Sequence, residues 1–207
     1  VYAKKLVKAF GEDIFEVIEN RPKNLETVKG IGPGRRVKIT NAWAEQKVIR
    51  EIMLFLHSHG VSTSRAVRIY KTYGADAIEQ VRSNPYTLAK DIHGIGFKSA
   101  DQIAQNVGIS KDSPIRARAG LSHVLWEATN EGHCALPLKV LQSKAVEMLG
   151  VEGSIVEQAL GWMVTKGELI LEQINDQELI FLPYLLRAEE EIAATIRRLA
   201  ESAVTYP

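Results

Sequence analysis

The chain has 207 residues, of which 45% are hydrophobic and 25% are charged, with a net charge of +1. These proportions are typical of a folded globular protein and exclude a disordered or low-complexity chain. No apolar run approaches the roughly 18 residues that a membrane-spanning helix needs, and no signal peptide opens the sequence, so we expect no membrane partner and a cytoplasmic location. The single cysteine, Cys134, excludes an internal disulfide and fits a reducing compartment.

The charge is divided unevenly along the chain. Residues 1–110 contain 17 Lys and Arg against 11 Asp and Glu, whereas residues 111–207 contain 9 against 14. A basic first half and an acidic second half indicate different partners, and the basic half suits a polyanion such as a nucleic acid. Chance variation among solvated faces is the alternative explanation.

The first half contains an internal repeat. Five residues recur 63 positions later, namely Ala3, Phe10, Gly11, Pro22 and Leu25 as Ala66, Tyr73, Gly74, Pro85 and Leu88. A Gly-Ile-Gly phrase at residue 30 recurs at residue 94, so the second copy holds one inserted residue. Self-similarity at a fixed period indicates a duplicated structural unit. The sequence also begins without Met and in a helical pattern, so we expect a piece of a longer protein that is cut within a unit.

Each copy is predicted to be helical, with breaks at glycine and proline. The first copy has a helix to Phe10, a stop at Gly11, helices over 13–20 and 24–28, and a long helix from the Gly30 turn through Trp43. The second copy has helices over 65–70, 76–82, 87–91 and 98–107.

Three turns between helices are candidate phosphate-binding sites. They comprise Gly30, Ile31, Gly32, Gly34 and Arg35; a weaker pair, Gly60 and Val61; and Gly94, Ile95, Gly96, Lys98 and Ser99. Glycine tolerates positive φ and lets another backbone approach closely. The helix that follows each turn offers unpaired N–H groups and the positive end of its dipole, which attract anions. Several phosphates in a row indicate a nucleic-acid strand, held without reading its sequence.

The second half has a different pattern. After a polar linker at 110–114, we predict a helix over 115–130, a strand within 132–137, and helices over 138–149 and 154–166, the last capped by Ser154. Two short strands over 168–172 and 178–182 form a hairpin around Asn175 and Asp176. This order is typical of a winged helix. The apolar content of 154–166 favours packing against protein over insertion into a DNA groove.

Catalytic and metal chemistry are not predicted for this chain. The five histidines and Cys134 lack the spacing of a zinc site. No G-x-x-x-x-G-K-[ST] phosphate loop is present, so we expect neither ATP nor Mg²⁺ to bind productively. Trp43, Trp126 and Trp162 lie in helical apolar patterns and are expected in the core, with base stacking as the alternative.

Two resemblances follow from these residues. Residues 94–103, GIGFKSADQI, resemble the helix-hairpin-helix pattern of non-specific DNA-binding modules; in the first copy Arg36 replaces the small residue found there. The longer phrase from Asn84 to Asp101, with Gly132, His133, Leu136 and Pro137, resembles the N-terminal region of the stand-alone RecD-like helicases, also known as exodeoxyribonuclease V alpha subunits.

The RecD-like resemblance implies a mainly α fold, with tandem helix-hairpin-helix units over 1–110, a winged-helix-like α+β subdomain with a small β hairpin over 115–183, and a connecting helix over 184–207. It implies a non-catalytic, DNA-binding accessory region of an ATP-dependent 5′–3′ helicase of DNA repair or recombination. Its partners would be single- or double-stranded DNA and the C-terminal motor, which alone would bind ATP and Mg²⁺. A structural scaffold that docks on the motor without DNA affinity is the alternative. An independent nuclease is disfavoured, because no carboxylate cluster is evident.

Overall fold

A computed structural model describes residues 2–201 and separates the chain into two compact units, residues 1–80 and 81–207. The three domains predicted from the sequence, over 1–110, 115–183 and 184–207, stay a prediction. The boundary between the two compact units lies after residue 80. The linker expected at 110–114 lies inside the second unit. Arg116, which follows the linker in the chain, donates a hydrogen bond to Asp101, which precedes it.

Within residues 2–201 the structure is mainly α-helical with one small antiparallel sheet, as predicted. The helices are α1 (Tyr2–Phe10), α2 (Ile14–Asn20), α3 (Pro33–Ser58), α4 (Thr63–Tyr73), α5 (Ala77–Ser83), α6 (Thr87–Asp91), α7 (Phe97–Asn106), α8 (Pro114–Asn130), α9 (Leu138–Leu149), α10 (Gly153–Thr165) and α11 (Pro183–Glu201). The strands are β1 (Ala135–Pro137), β2 (Ile170–Ile174) and β3 (Gln177–Phe181), and 3₁₀ turns occupy Gly11–Asp13, Pro22–Thr27 and Gly74–Asp76.

The internal repeat is visible in the backbone. Gly11 and Gly74 both have positive φ, 55° and 58°, and each opens a 3₁₀ turn between two helices. The same positions of the two copies are buried, in the pairs Leu6 and Ile69, Ile14 and Ala77, Ile18 and Val81, Leu25 and Leu88, Val28 and Ile92, and Ile31 and Ile95. The two copies therefore use one pattern of apolar side chains, as the 63-residue period indicates.

The first copy contributes one buried cluster to the first unit. Leu6, Ile14, Val17, Leu25 and Ile31 are members of one buried cluster, against which the half-buried Trp43 packs. The indole N–H of Trp43 donates to Glu19 Oε1 at 3.0 Å, and its ring stacks on Phe15 with centroids 4.6 Å apart. Trp43 thus covers the edge of the core and keeps its polar group at the surface.

The second unit is centred on α8, which packs against α9 and α10. The sheet has the order β1-β3-β2, with Leu136 opposite Ile180 and Leu171 also opposite Ile180. Asn175 and Asp176 have φ of 48° and 60°, the left-handed pair that a two-residue type I′ turn requires. The predicted hairpin is present, but β2 begins and ends two residues later than the strand predicted over 168–172.

A glycine permits the close approach of α8 and α9. A Cβ built on Gly120 would lie 2.7 Å from Leu149 Cδ1 and 2.8 Å from Cδ2, closer than real Cβ contacts come. Leu149 is itself buried at the end of α9. The helices can therefore meet here only because residue 120 has no side chain.

Three sequence predictions differ from the structure. Ser154 is not a cap, because α10 begins at Gly153 with Glu152 in the N-cap position and no side-chain capping bond. Trp126 and Trp162 are 56% and 40% exposed and lie outside the core, because the helical repeat places each of them off the buried stripe of its helix, with Trp126 on the opposite face of α8. The helix after the first turn extends beyond Trp43 to Ser58.

The last helix, α11, has no buried residue, and its apolar side chains Ile192, Ile196 and Leu199 are each more than half exposed. Residues 202–207 of the predicted connecting helix lie outside the described residues. In residues 2–201 no helix combines the length and hydropathy of a membrane span.

We predict that Gly120→Ala lowers the free energy of unfolding by about 1–3 kcal/mol, because the new methyl group would overlap the Leu149 side chain in a packed core. Chemical denaturation followed by circular dichroism measures the change. Gly161→Ala is the matched control. A Cβ at Gly161 on α10 meets no atom within 4 Å, so alanine there should stabilise the helix by about 0.5–1 kcal/mol. Equal effects of the two substitutions would contradict the close approach.

Candidate nucleic-acid interface

The second hairpin, residues 94–96, joins α6 to α7. Gly94 has φ of 84°, Ile95 is buried, and Gly96 is the extended N-cap of α7 with φ −94° and ψ 176°. A Cβ built on Gly96 would meet no atom within 4 Å, so the space in front of it is open. A small anion can therefore reach this backbone without displacing any side chain.

The donors of the second hairpin lie at the start of α7. The N–H of Ile95 donates to the carbonyl of Ile92 at 3.1 Å, so Ile95 anchors the turn and is not a donor to a ligand. The first bond that returns to the cap is from the N–H of Ala100 to the carbonyl of Gly96, at 3.0 Å. The earlier N–H groups of the helix, including that of Lys98, point outward from its first turn. Lys98 is exposed and Ser99 half-buried beside them.

The first hairpin, residues 30–32, has the same backbone. Gly30 has φ of 100°, Gly32 caps α3 with φ −99° and ψ −177°, and the N–H of Ile31 donates to the carbonyl of Val28 at 2.9 Å. Gly34 and Gly32 both face open space. The arginine at position 36 does not disturb this geometry.

The basic residues of the first hairpin are engaged within the protein. Arg35 donates from Nη1 to the carbonyl of Gly30, and its guanidinium lies 4.6 Å from the centroid of the Tyr2 ring. Arg36 pairs with Glu26 at 3.1 Å. Arg35 is exposed and still offers further N–H groups, but its first role is to close the turn.

An intermediate hairpin, residues 60–62, joins α3 to α4. Gly60 has φ of 81°, the N–H of Val61 donates to the carbonyl of Leu56 at 3.0 Å, and Val61 is 2% exposed. Ser62 replaces the second glycine and caps α4 in an extended conformation. The weaker motif thus keeps the positive φ of its first glycine and the buried hydrophobe, but its central N–H bonds five residues back, whereas those of Ile31 and Ile95 bond three residues back.

The hairpins of the first unit are separate sites. The first hairpin precedes α3 and the intermediate hairpin follows it, at opposite ends of this 26-residue helix. A helix of that length spans about 39 Å, so the two turns cannot hold the same phosphate. The second hairpin belongs to the second unit.

A buried ion pair fixes α7 in the second unit. Arg116 of α8 donates from Nε to Asp101 Oδ1 at 2.8 Å and from Nη2 to Oδ2 at 3.1 Å. Tyr86 donates to the same Oδ1 at 2.7 Å, and Arg116 Nη1 donates to the carbonyl of Leu149 at 2.9 Å. Only Asp101 and Tyr86 lie in the phrase that suggested the family; the sequence carries no signal that pairs Arg116 with them.

The environment of this pair favours its charged form. Burial raises the pKa of Asp101, but hydrogen bonds from Arg116 and Tyr86 outweigh it, and the net pKa is below its ordinary value. The hydrogen bond with Asp101 raises the pKa of Arg116. Burial, and then the hydrogen bond to the carboxylate, raise the pKa of Tyr86. All three groups are locked in one protonation state at neutral pH.

Metal ligands do not gather at these turns. Residues 2–201 hold no group of three or more His, Cys, Asp or Glu side chains in the arrangement of a metal site. Cys134 donates to Glu189 Oε1 at 2.9 Å, and this hydrogen bond raises the pKa of its thiol.

Three glycine turns, each with a buried hydrophobe and each opening a helix, define a tandem helix-hairpin-helix protein. Residues 45–135 match the family model described as the HHH domain of the ATP-dependent RecD2 DNA helicase. The ATP-dependent RecD2 DNA helicase of Deinococcus radiodurans is 30% identical over 209 aligned residues. Residues 45–135 are thus similar to the HHH domain of RecD2 helicases, and the predicted resemblance to the N-terminal region of RecD-like helicases is confirmed.

Each match is partial, either along this chain or along the relative. The alignment covers 96% of this chain but 29% of the Deinococcus protein, so the chain spans less than a third of its relative. The match to the family model contains the intermediate and second hairpins, and it begins after the first hairpin. The first hairpin is assigned to the same class by its backbone angles.

We predict that Asp101→Asn lowers the free energy of unfolding by about 3 kcal/mol at pH 7, because it leaves the buried Arg116 without a counter-charge. The folded pKa of Asp101 lies below its unfolded value of about 3.9, so the stabilisation is present above that pH and is lost as the pH falls through the folded value. The difference between variant and parent should therefore shrink below about pH 4.

Urea unfolding at pH 7 and at pH 3 measures both effects. Glu157→Gln, on the exposed side of α10, is the control and should change stability by less than about 0.5 kcal/mol at either pH. A variant difference that is the same at the two pH values would show that the charge of Asp101 does not hold α7.

Proposed function

We propose that this chain is a non-catalytic accessory region of an ATP-dependent helicase, and that it holds DNA through backbone phosphates without reading sequence. The observation that carries the proposal is the second hairpin. There, positive φ at Gly94, an extended Gly96 facing open space and the free first turn of α7 form a cradle for one phosphate. The family match over residues 45–135 supports DNA as the source of that phosphate.

The division of charge supports the same proposal. Residues 1–110 carry the excess of Lys and Arg and contain all three hairpins. Contacts of this kind go to phosphate oxygens, so they fix the position of a strand and release counterions. ATP and Mg²⁺ belong in the proposal to the motor of the parent protein and not to this chain.

A scaffold that docks on the motor is the second candidate function. The observation that favours it is α11, where Ile192, Ile196 and Leu199 form an exposed apolar stripe. An exposed apolar helix face suits a protein partner. The two functions differ in one measurable property, the affinity of the chain itself for DNA.

Gly96→Ala is the sharpest test of the DNA-binding function. Gly96 has a φ that any residue adopts and open space around it, so alanine should leave the fold unchanged and weaken DNA binding by about threefold or more, because the methyl group stands where the phosphate would lie. Gly94→Ala is a poorer probe, because its φ of 84° would strain the backbone. Fluorescence anisotropy with labelled single-stranded and duplex oligonucleotides at two salt concentrations measures the affinity.

Gly153→Ala is the matched control, because Gly153 also opens a helix with no atom near its added Cβ and lies outside the hairpins. It should leave DNA affinity unchanged. Absence of binding to either DNA at low salt would sink the DNA-binding function and favour the scaffold. Equal loss in both variants would show that the second hairpin is not the site.

Lys98→Gln tests the electrostatic part of the proposal. Lys98 is exposed in the first turn of α7, so one phosphate contact should disappear and the slope of log affinity against log salt should flatten by about one. Lys144→Gln, on the exposed side of α9, should leave the slope unchanged. Salt titrations of the anisotropy signal give both slopes. An unchanged slope in Lys98→Gln would remove Lys98 from the interface.

A further inference from the structure

A row of four aromatic rings crosses the second unit. The rings of Tyr86 and Phe97 have centroids 5.8 Å apart with 21° between planes. Phe97 and His123 follow at 4.9 Å and 13°, and His123 and Trp126 at 6.4 Å and 18°. All three steps fall in the range of stacked aromatic pairs, and each ring is tilted by 21° or less from its neighbour.

One end of the row is locked and the other is open. Tyr86 is buried and donates its hydroxyl to Asp101, and Phe97 is buried beside it. Trp126, at the far end on α8, is 56% exposed. The half-buried His123 lies between the buried rings and the exposed indole, with its ring centroid 6.4 Å from that of Trp126.

The second ring of the row belongs to a residue that adjoins the proposed phosphate site in the chain. Phe97 is the first residue of α7 and follows Gly96 directly, and Lys98 comes next. Two ring-to-ring steps, of 4.9 and 6.4 Å, then lead from Phe97 to Trp126. The rise per nucleotide along one strand is about 3.4 Å in a duplex, so this path has the length of a few nucleotides.

The charges beside the row are mixed. Glu127 follows Trp126 in the chain, its carboxylate lies 3.3 Å from His123 Nε2, and it lines a surface hollow with Glu131, Glu147 and Lys144. Lys98 stands at the hairpin end of the row. A basic phosphate site with a fixed aromatic face a short distance away is the combination that binds single-stranded nucleic acids.

We propose that Trp126 is a stacking platform for an unpaired nucleobase, and that the second hairpin and Trp126 together make this chain prefer single-stranded over duplex DNA. This inference rests on the proposed function, because the hairpin delivers the strand. A base in a duplex is covered on both faces by its neighbours and cannot stack on the indole, whereas a base in a single strand presents a free face. Every base has such a face, so the contact is independent of sequence.

The decisive variant is Trp126→Leu, with Trp162→Leu as its matched control. Both tryptophans are partly exposed in the second unit, but the ring of Trp162 is covered by the Arg118 guanidinium at 4.1 Å. Trp126→Leu should weaken binding to an oligothymidine by about 5- to 100-fold, the range of base–aromatic stacking. Its affinity for duplex DNA, and the affinities of Trp162→Leu, should change less than about twofold.

Two further probes separate stacking from other losses. An oligonucleotide with abasic sites keeps its phosphates but has no bases, so Trp126→Leu should not change its affinity. In a Trp43→Phe/Trp162→Phe double variant, Trp126 is the only tryptophan, so excitation that selects tryptophan over tyrosine isolates its emission; oligothymidine should quench this emission, whereas the abasic strand should not. Circular dichroism and thermal unfolding confirm that each variant is folded.

The outcomes distinguish the two levels of the proposal. One outcome overturns the stacking platform and leaves the proposed function standing. In it, DNA binding is salt-sensitive and weaker in Gly96→Ala, but Trp126→Leu binds as tightly as the parent chain. Equal loss for oligothymidine and the abasic strand also overturns it. Absence of DNA binding by the parent chain overturns the proposed function and the platform together.

Discussion

The ion pair between Asp101 and Arg116 is the constraint on which the second unit depends. Arg116 is 6% exposed, and its guanidinium binds a carboxylate of α7 and the last carbonyl of α9 at the same time. A buried charge is tolerated only when its partners are complete, so these three helices must meet at one point. Gly120, one turn further along α8, allows that meeting because it leaves room for Leu149. The start of α7, and with it the second hairpin, is held by these contacts.

The three hairpins share a positive-φ glycine and a buried central hydrophobe but differ in the groups that they leave accessible. In each, the central hydrophobe is buried and its N–H is used inside the protein, so the hydrophobe builds the turn and the surrounding groups meet a ligand. At the first hairpin Arg35 closes the turn and contacts Tyr2, whereas at the second hairpin Lys98 is exposed. Gly96 and Lys98 therefore form the most accessible of the three candidate phosphate sites.

Much of the fold could be predicted from local sequence. Glycines at repeated spacing mark the turns because only they adopt positive φ without cost, and Asn175 with Asp176 mark the β-turn for the same reason. The partner of Asp101 and the exposure of Trp126 depend instead on how distant helices pack. Trp126 stands among apolar residues in the sequence of α8, but the helix buries the face of Leu121, Val124 and Ala128 and leaves Trp126 on the opposite side. The turn at residue 60 forms although its motif is incomplete, because the N-cap position is extended and Ser62 can occupy it as glycine does.

The way Arg116 is bonded has a mechanical consequence. A strand held at the second hairpin and pulled would load α7, and α7 could slide along α8 only by stretching two charged hydrogen bonds, of 2.8 and 3.1 Å, together. Bonds loaded in parallel share tension, and the same guanidinium passes part of it to the end of α9 through Leu149. These bonds tie α7, α8 and the end of α9 together, so a displacement of α7 relative to α8 would have to break them.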